Sequence, residues 1–513
     1  MSLLCGIDVG TQGSKVGLFR PDGSCLVECY AEHRFHHLRP GWVEMDPVQI
    51  LDAVVAALSE ATHKVGVAAR EVEAIAMSGI LCGPVFIDAD WRPVRPIIPY
   101  LDVRAGKEVD WLRNDVEPRW ESESANAALD TYVMPAVYEW VRRHEPDICK
   151  RIARIVSLAP YIGGCLAGLK ARNAYTDPSH LSGWIIGWNA STGRPSEQQF
   201  DDLGIPLELA PDVHDPHAIV GHLTNDMARR TGLPVGVPLC AGAGDVMQSN
   251  LGAGLTRPGL ATDVAGTASL LTVGVTGPSV EITAQPGMLY SLATLPGQAL
   301  YWGYVKAGGL SLRWFRDEIL NEPGNDALYK EFDRLAEDVR AGCDGVLFTP
   351  YLSGGNPDNP HATGTFLGMN VGTDRATLWR AMLESIAYEY GDFLDTFADN
   401  GVSINRVLAI GGGARSELWN QIKADAVGAP WQIPSRPEGA ILANAALAGV
   451  ACGRCDDLAT TVESWVGDGK LFKPDEATRK RYQGIRAQRR GPLGRSLREL
   501  FTHLAPLRQE EST

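Results

Sequence analysis

A chain of 513 residues exceeds the size at which one hydrophobic core stops growing, so two domains of about 250 residues are expected. With 45% hydrophobic and 21% charged residues and no apolar run long enough to span a bilayer, the composition is that of a globular protein and argues against membrane insertion. The formal charge of -15 argues against a nucleic-acid partner, which would require a basic field. The first residues, Met1 to Asp8, lack a basic region followed by a long apolar segment and enter a strand at once, so no export signal is expected. Ten cysteines, scattered from Cys5 to Cys455 and mostly inside apolar runs, read as reduced core packing, which makes the cytoplasm the expected compartment. Cys452-Gly453-Arg454-Cys455 has redox or half-zinc spacing, but zinc needs four ligands and no second pair accompanies it.

In chain order, residues 5–19 read as strand, glycine turn, strand: a β-hairpin with its one acid, Asp8, at the strand end. Residues 47–63 read as an amphipathic helix with Ile50, Val54, Val55 and Leu58 on one face, and residues 74–79 and 85–88 as strands. Residues 104–150 are mainly helical in pattern, and 175–254 carry frequent Pro and Gly. The hairpin pattern returns half a chain later in Asp263-Val264-Ala265-Gly266-Thr267-Ala268-Ser269. With one inserted residue, the two lines share Asp-Val, then Gly-Thr, then Ser, and a repeat at this spacing implies duplicated domains facing each other. A strand at 346–351 then runs into a loop at 353–360 dense in turn formers. A long helix follows from about 374 to 400, then a strand, 406–410, entering the turn Gly411-Gly412-Gly413-Ala414, and a helix over 416–427. Alternating strands and helices place the chain in the α/β class. Residues 479–498 hold eight basic side chains and no acid, and read as a solvated terminal helix pairing with the acidic remainder.

The chemistry centres on Ala243-Gly244-Asp245-Val246. Small residues on either side let backbone and ligand come close, and the apolar run at 235–240 reads as a buried strand that delivers Asp245 to a cleft rim as a catalytic base. The competing reading is a helix N-cap, because a helix-compatible run follows. Three glycine turns stand beside it: Gly10-Thr11-Gln12-Gly13, Gly266-Thr267-Ala268-Ser269 and residues 411–414. Two Gly-Thr hairpins from opposite halves can clamp a polyphosphate with backbone N–H and hydroxyl groups, leaving the third turn for the nucleoside end. None fits Gly-x4-Gly-Lys-Ser/Thr or the dinucleotide fingerprint. Asp8 is placed to hold Mg²⁺, which favours a few carboxylates, phosphate oxygens and retained waters, and Lys15 adds a cation near the phosphates.

The segments Gly6-Ile7-Asp8-Val9-Gly10-Thr11, Gly41-Trp42-Val43-Glu44-Met45-Asp46-Pro47, Ala243-Gly244-Asp245, Gly266-Thr267, Pro350-Tyr351-Leu352-Ser353-Gly354 and Ile410-Gly411-Gly412-Gly413 resemble the FGGY carbohydrate kinase family, xylulokinases most closely. The likeness is ordered from residue 6 to about 475, and residues 364–384 resemble the family's C-terminal signature, with Thr377 where a polar amide, acid or His is usual. It implies two ribonuclease-H-like domains of the actin and hexokinase type, with ATP and sugar in the cleft between them. Residues 1–254 would hold the sugar, the first phosphate loop and the catalytic Asp, residues 255–480 the nucleotide, and residues 481–513 form a basic tail. By the same resemblance Asp245 takes the proton of the sugar hydroxyl and Asp8 is the Mg²⁺-associated carboxylate. Gly10, Thr11, Gly266 and Thr267 belong to the phosphate loops, joined by Gln12 and Lys15 from the hairpin reading, and Gly309, Gly412, Gly413 and Ala414 contact the nucleotide. Phosphoryl transfer has a loose transition state, so an Asp with an ordinary pKa near 4 is expected to accept the proton late.

The resemblance departs where the sugar should be read. Xylulokinases usually place Gln-Met-His-Gly where this chain has Ile80-Leu81-Cys82-Gly83, and Ala136 and Ala159 replace expected lysines. Asp102 and Arg104 match the usual Trp-x-Asp-x-Arg segment, with Tyr100 for Trp, and together with Leu81, Cys82 and Asp245 are the expected substrate contacts; Ser179 and His180 are candidate substitute readers. Unpaired substrate hydroxyls are costly, so a pocket without polar readers should reject xylulose. The expected activity is ATP-dependent, Mg²⁺-requiring phosphorylation of a primary hydroxyl of a small ketose, a pentulose. A glycerol- or erythritol-like polyol kinase is the alternative, and a non-catalytic, nucleotide-switched actin-like ATPase the reading from another class. Family relatives are often homodimers, which makes a second copy an expected partner.

Overall fold

The computed structural model describes residues 2–305, 308–355, 359–436 and 439–508. Ala307, before Gly308, three residues of the turn-rich loop (Asn356, Pro357 and Asp358) and the last five residues of the tail lie outside that set.

The strand Leu3–Val9 is buried at every position but Asp8, as an unbroken apolar run covered on both faces must be. It lies at the centre of a sheet ordered Ile219–His222, Pro238–Cys240, Val72–Gly79, Leu3–Val9, Gly13–Phe19, Cys25–Glu32. The last three strands form an antiparallel meander, while Val72–Gly79 runs parallel to Leu3–Val9 and Pro238–Cys240 parallel to Val72–Gly79. Beside it packs the helix Pro47–Val65, started by Asp46, whose side chain accepts the Val48 N–H, and by proline at the first helical position.

The second sheet repeats this plan. Its order is Leu289–Leu292, Ala299–Val305, Ser269–Val275, Leu260–Ala265, Arg406–Ile410, Trp431–Gln432, Leu471–Phe472. Again three strands form an antiparallel meander and two more run parallel to its first strand. The repeated Asp-Val and Gly-Thr pattern therefore marks the same place in both sheets, with Asp263 the counterpart of Asp8. Their surroundings differ: Asp263 is fully buried and paired with Lys423 Nζ at 2.6 Å, accepts the Tyr390 hydroxyl at 2.9 Å, and Lys423 lies 3.8 Å from the centre of the Trp419 ring. Burial lowers the Lys423 pKa and the Asp263 charge opposes that shift. Lys423→Met leaves a buried carboxylate without its cation and should cost about 3–5 kcal/mol, read as a lower denaturant midpoint; an unchanged midpoint would show that Asp263 is neutralised some other way.

The chain does not divide cleanly at the middle. The helix Ala440–Ala451 is apolar nearly all round, which marks a core helix, and it returns to the first sheet: Gly6 packs so closely that an added Cβ would lie 2.0 Å from the Ile441 carbonyl oxygen. Trp465, farther along, stacks on Phe19 of the same sheet. The basic segment spans two helices, Glu476–Arg490 and Pro492–Leu504, where one was expected, and arginines of the first do pair with acids: Arg486 with Asp392 and Asp395, Arg489 with Glu389, Arg490 with Asp395. All three acids lie on the long helix Arg375–Asp399.

Candidate active site

Strand register assembles the acids. Asp8 sits opposite Ser78 of the parallel strand, Ala243 pairs with that same Ser78 from the other side, and Gly244 pairs with Gly79. This approach depends on Gly242, which has φ 79° and where a Cβ would stand 2.1 Å from the Met77 carbonyl oxygen. The next residue after this short pairing is Asp245, which is the first residue of the helix Asp245–Gly252; Gly244 occupies the cap position, so the capping alternative does not hold. Its Oδ1 accepts the adjacent Val246 N–H, at 2.7 Å, and the residue lies at the boundary between buried and exposed.

The expectation of an ordinary pKa near 4 is corrected by these surroundings. Burial and then the neighbouring Asp8 charge push Asp245 up to about 8, with the Val246 N–H opposing. The floor is apolar: Leu81 fills the space a Cβ on Gly244 would need, at 2.2 Å, and belongs with Met247 to one cluster of apolar side chains. Asp8 is raised as well, by burial, while the Ser78 hydroxyl, donating to its Oδ1 at 2.7 Å, and the Lys15 charge act the other way. Lys15 is Asp8's cross-strand partner, half exposed and 3.9 Å from Glu28.

Both Gly-Thr turns have the expected hairpin form. In the first, Gly10 N–H donates to the Gly13 carbonyl at 3.0 Å, Thr11 Oγ1 is 3.4 Å from the Tyr100 hydroxyl, and the exposed Gln12 offers its carbonyl to His33 N–H at 3.2 Å. In the second, Gly266 N–H donates to the Ala268 carbonyl at 3.0 Å. Gly309 and Leu310, opening the helix Gly308–Trp314, donate their N–H groups to the carbonyls of Gly266 and Thr267 at 3.0 and 2.9 Å. Gly266, Thr267, Gly309, Gly412 and Gly413 then line one cavity of about 610 Å³. Ala414 does not: it is buried behind the wall, its carbonyl accepting Asn420 Nδ2 at 2.8 Å. The cavity's other walls escaped sequence reasoning. Trp379, Trp419 and Tyr329 supply aromatic surface and Arg313, Lys330 and Arg415 cations, and no motif spacing announces any of them.

On the substrate side the structure corrects two expectations. Asp102 and Arg104 come together, but as a saturated buried cluster: Asp102 accepts the N–H groups of Val43 and Arg104 and the Arg104 Nε and Nη2, filling both its oxygens. Arg104 also binds Glu44 and lies over Trp42, so neither presents a free group to a sugar. They support a neighbouring loop instead, since Thr131 donates its hydroxyl to the Asp102 carbonyl. Ser179 and His180 are likewise fully buried; Ser179 Oγ accepts the Gly244 N–H at 2.9 Å and His180 Nδ1 faces Asp177 at 2.6 Å, so Ser179 holds the backbone beside Asp245 and is not exposed to a sugar. Cys82 donates its thiol to the Gly183 carbonyl at 3.3 Å, while Leu81 lies in the apolar floor. Burial raises the Cys82 pKa, and the charges of Asp245 and Asp130 add to it; Tyr132 feels Cys82, Asp130 and Tyr304 in turn. Asp130 and Tyr132 are thus coupled to Cys82, and Tyr304, from the strand Ala299–Val305 of the second sheet, to Tyr132; sequence reasoning singled out none of the three. All ten cysteines are free thiols. Among the described residues no three His, Cys, Asp or Glu side chains gather as a metal cage, and no helix is long and apolar enough to cross a membrane.

The profile of the N-terminal domain of the FGGY family of carbohydrate kinases matches residues 3–252, and that of its C-terminal domain matches residues 261–452. The chain belongs to this family. As an FGGY carbohydrate kinase it carries the two-domain fold of solved sugar kinases, and the family implies ATP as cosubstrate. The solved xylulose kinase from Rhodospirillum rubrum superimposes with a TM-score of 0.85 at 29% identity, over 98% of this chain and 99% of that one. An autoinducer-2 kinase of Klebsiella pneumoniae subsp. pneumoniae is 28% identical over 503 residues, 94% of this chain and 92% of the relative. A glycerol kinase of Rhodopirellula baltica is 27% identical over 494 residues, 93% and 88% respectively. Three acceptors at nearly equal identity leave the substrate of this kinase to its own residues.

Proposed function

We propose that this FGGY kinase transfers the γ-phosphoryl group of ATP to a primary hydroxyl of a small ketose of the pentulose class. The observation that carries the reading is the pair Asp8 and Asp245 at the ends of register-matched strands, both raised by burial and Asp245 further by the Asp8 charge, as acids awaiting a compensating cation. Two close carboxylates beside a polyphosphate clamp fit Mg²⁺, which takes one or two protein carboxylates with phosphate oxygens and waters; Asp8 would hold it, and it would neutralise phosphate charge. The cavity lined by Gly266, Thr267, Gly309, Gly412 and Gly413, where Arg313, Lys330 and Arg415 outnumber Asp326 and Asp333, fits ATP, with the glycine turns on the phosphate side.

Asp245 then accepts the hydroxyl proton as the substrate oxygen bonds to the γ-phosphorus and the bond to the bridging oxygen breaks, releasing ADP. A raised pKa suits this role, since a base titrating near the working pH holds a transferred proton better than one near 4. The apolar floor of Leu81 and the tied thiol of Cys82 offer no hydrogen bond to a sugar hydroxyl, whereas Asp130 and Tyr132, both coupled electrostatically to Cys82, are the polar candidates on that side.

A screen of ADP release against ketoses, alditols and aldonates tests the reading. A ketopentose should give the highest kcat/KM; turnover confined to alditols would favour the polyol kinase alternative, and none with any alcohol would remove the proposal. Cys82→His should raise kcat/KM for xylulose relative to the best substrate of the screen, and an unchanged ratio would place specificity elsewhere.

A further inference from the structure

Asn444 is the one polar side chain in the helix Ala440–Ala451, and it is completely buried. Packing alone would be served better by leucine, because a buried amide must find partners. Asn444 Nδ2 donates to the Ile7 carbonyl at 2.7 Å and to Ser78 Oγ at 2.8 Å. The Ile7 carbonyl fixes which way the amide faces, since the opposite orientation would set two acceptor oxygens against each other. A hydroxyl has a single hydrogen. With Asn444 occupying its acceptor side, Ser78 is left to donate, and the acceptor within reach is Asp8 Oδ1 at 2.7 Å.

The same helix also backs the second acid. Gly252, the last residue of the helix that Asp245 opens, approaches so closely that a Cβ there would lie 2.0 Å from the Gly439 carbonyl oxygen, at the start of Ala440–Ala451. One element from late in the chain therefore touches the supports of both acids.

We propose that Asn444 is a positioning residue for the kinase reaction: through Ser78 it polarises and aims the Asp8 carboxylate at the divalent cation that accompanies ATP. This rests on the assignment of Asp8 to that cation. Partners behind a metal ligand are typically worth about 10–100-fold in metal affinity, so the relay should have an effect of that order.

The test is Mn²⁺ binding, followed by electron paramagnetic resonance in the presence of a non-hydrolysable ATP analogue, on the full chain and the variants Asn444→Leu, Ser78→Ala, their double and Asp8→Asn. We expect Asn444→Leu and Ser78→Ala each to weaken Mn²⁺ binding about tenfold or more, with ATP-analogue affinity measured without metal unchanged. The double variant should be no worse than Ser78→Ala alone, because both break one chain. Additive losses, or a normal Mn²⁺ affinity in Ser78→Ala, would overturn the relay, and Ser78→Ala answers the question even if Asn444→Leu fails to fold. If Asp8→Asn weakens Mn²⁺ while Asn444→Leu does not, the relay falls and the Asp8 assignment stands; if Asp8→Asn leaves Mn²⁺ untouched, both fall.

Discussion

Asp245→Asn is expected to lower substrate-dependent ADP release by about 10²–10⁴-fold, the contribution of a positioned base, while leaving ATP affinity intact. The same substitution should stabilise the protein, and in a pH-dependent way. Asp245 titrates at about 8 in the folded chain against 3.8 for an ordinary Asp, so the folded state holds its proton more tightly than the unfolded state. The stability tied to that proton is complete below about pH 4 and is lost as pH rises through about 8. Wild type and Asp245→Asn should therefore unfold at the same temperature near pH 4 and diverge by a few kcal/mol in the variant's favour by pH 8–9. Thermal melts across that range, beside the kinetic assay, check both halves. A variant that kept wild-type turnover would mean that Asp245 is not the base, and melts that stayed parallel at every pH would mean that it is not desolvated. In wild type, kcat/KM should fall on the acid side with the titration of this group, and a divalent cation that offsets the Asp8 charge should move that limb to lower pH.

Gly309→Ala is expected to raise the KM for ATP about 30-fold without affecting sugar binding. The new Cβ would stand 2.3 Å from the Gly266 carbonyl oxygen, and that oxygen belongs to the backbone of the second Gly-Thr turn and cannot swing aside. Relief requires the helix Gly308–Trp314 to lift, which loses the hydrogen bonds from Gly309 to Gly266 and from Leu310 to Thr267. Two backbone hydrogen bonds are worth about 2 kcal/mol, and 1.4 kcal/mol is a factor of ten. ADP-release kinetics at saturating sugar would read the change in KM, and calorimetry with the sugar alone would read the other half. An unchanged KM for ATP would place the nucleotide outside this cavity.

The duplicated α/β plan was legible because a hairpin whose strand ends in Asp-Val before a Gly-Thr turn is a local pattern, and it appears twice. Asp8 and Gly266 fall inside that repeated pattern, while Asp245 and the 411–413 turn stand out only as short glycine-rich segments of their own. What escaped depends on contacts that no local pattern records. The helix Ala440–Ala451 reads as a featureless Ala-rich run, yet it crosses back to the first sheet and brings Asn444 to Ser78. The pKa of Asp245 is raised first by burial, beside the apolar packing of Leu81 and Met247, and then by the charge of Asp8, which strand register brings to the same end of the sheet. Asp102 and Arg104 were recognisable as a pair, but only the fold reveals that Val43 and Glu44 complete their hydrogen bonding. Trp379 and Trp419 come from two different helices, so their meeting at one cavity leaves no trace in spacing.

A crystal structure of the enzyme with a non-hydrolysable ATP analogue and the best substrate of the screen tests the central claim most directly. The account predicts an Asp245 carboxylate oxygen within about 2.6–3.2 Å of a primary hydroxyl, with that hydroxyl oxygen in line with the terminal phosphorus. A substrate whose nearest hydroxyl lies beyond hydrogen-bonding reach of Asp245, with another side chain in that place, would contradict it.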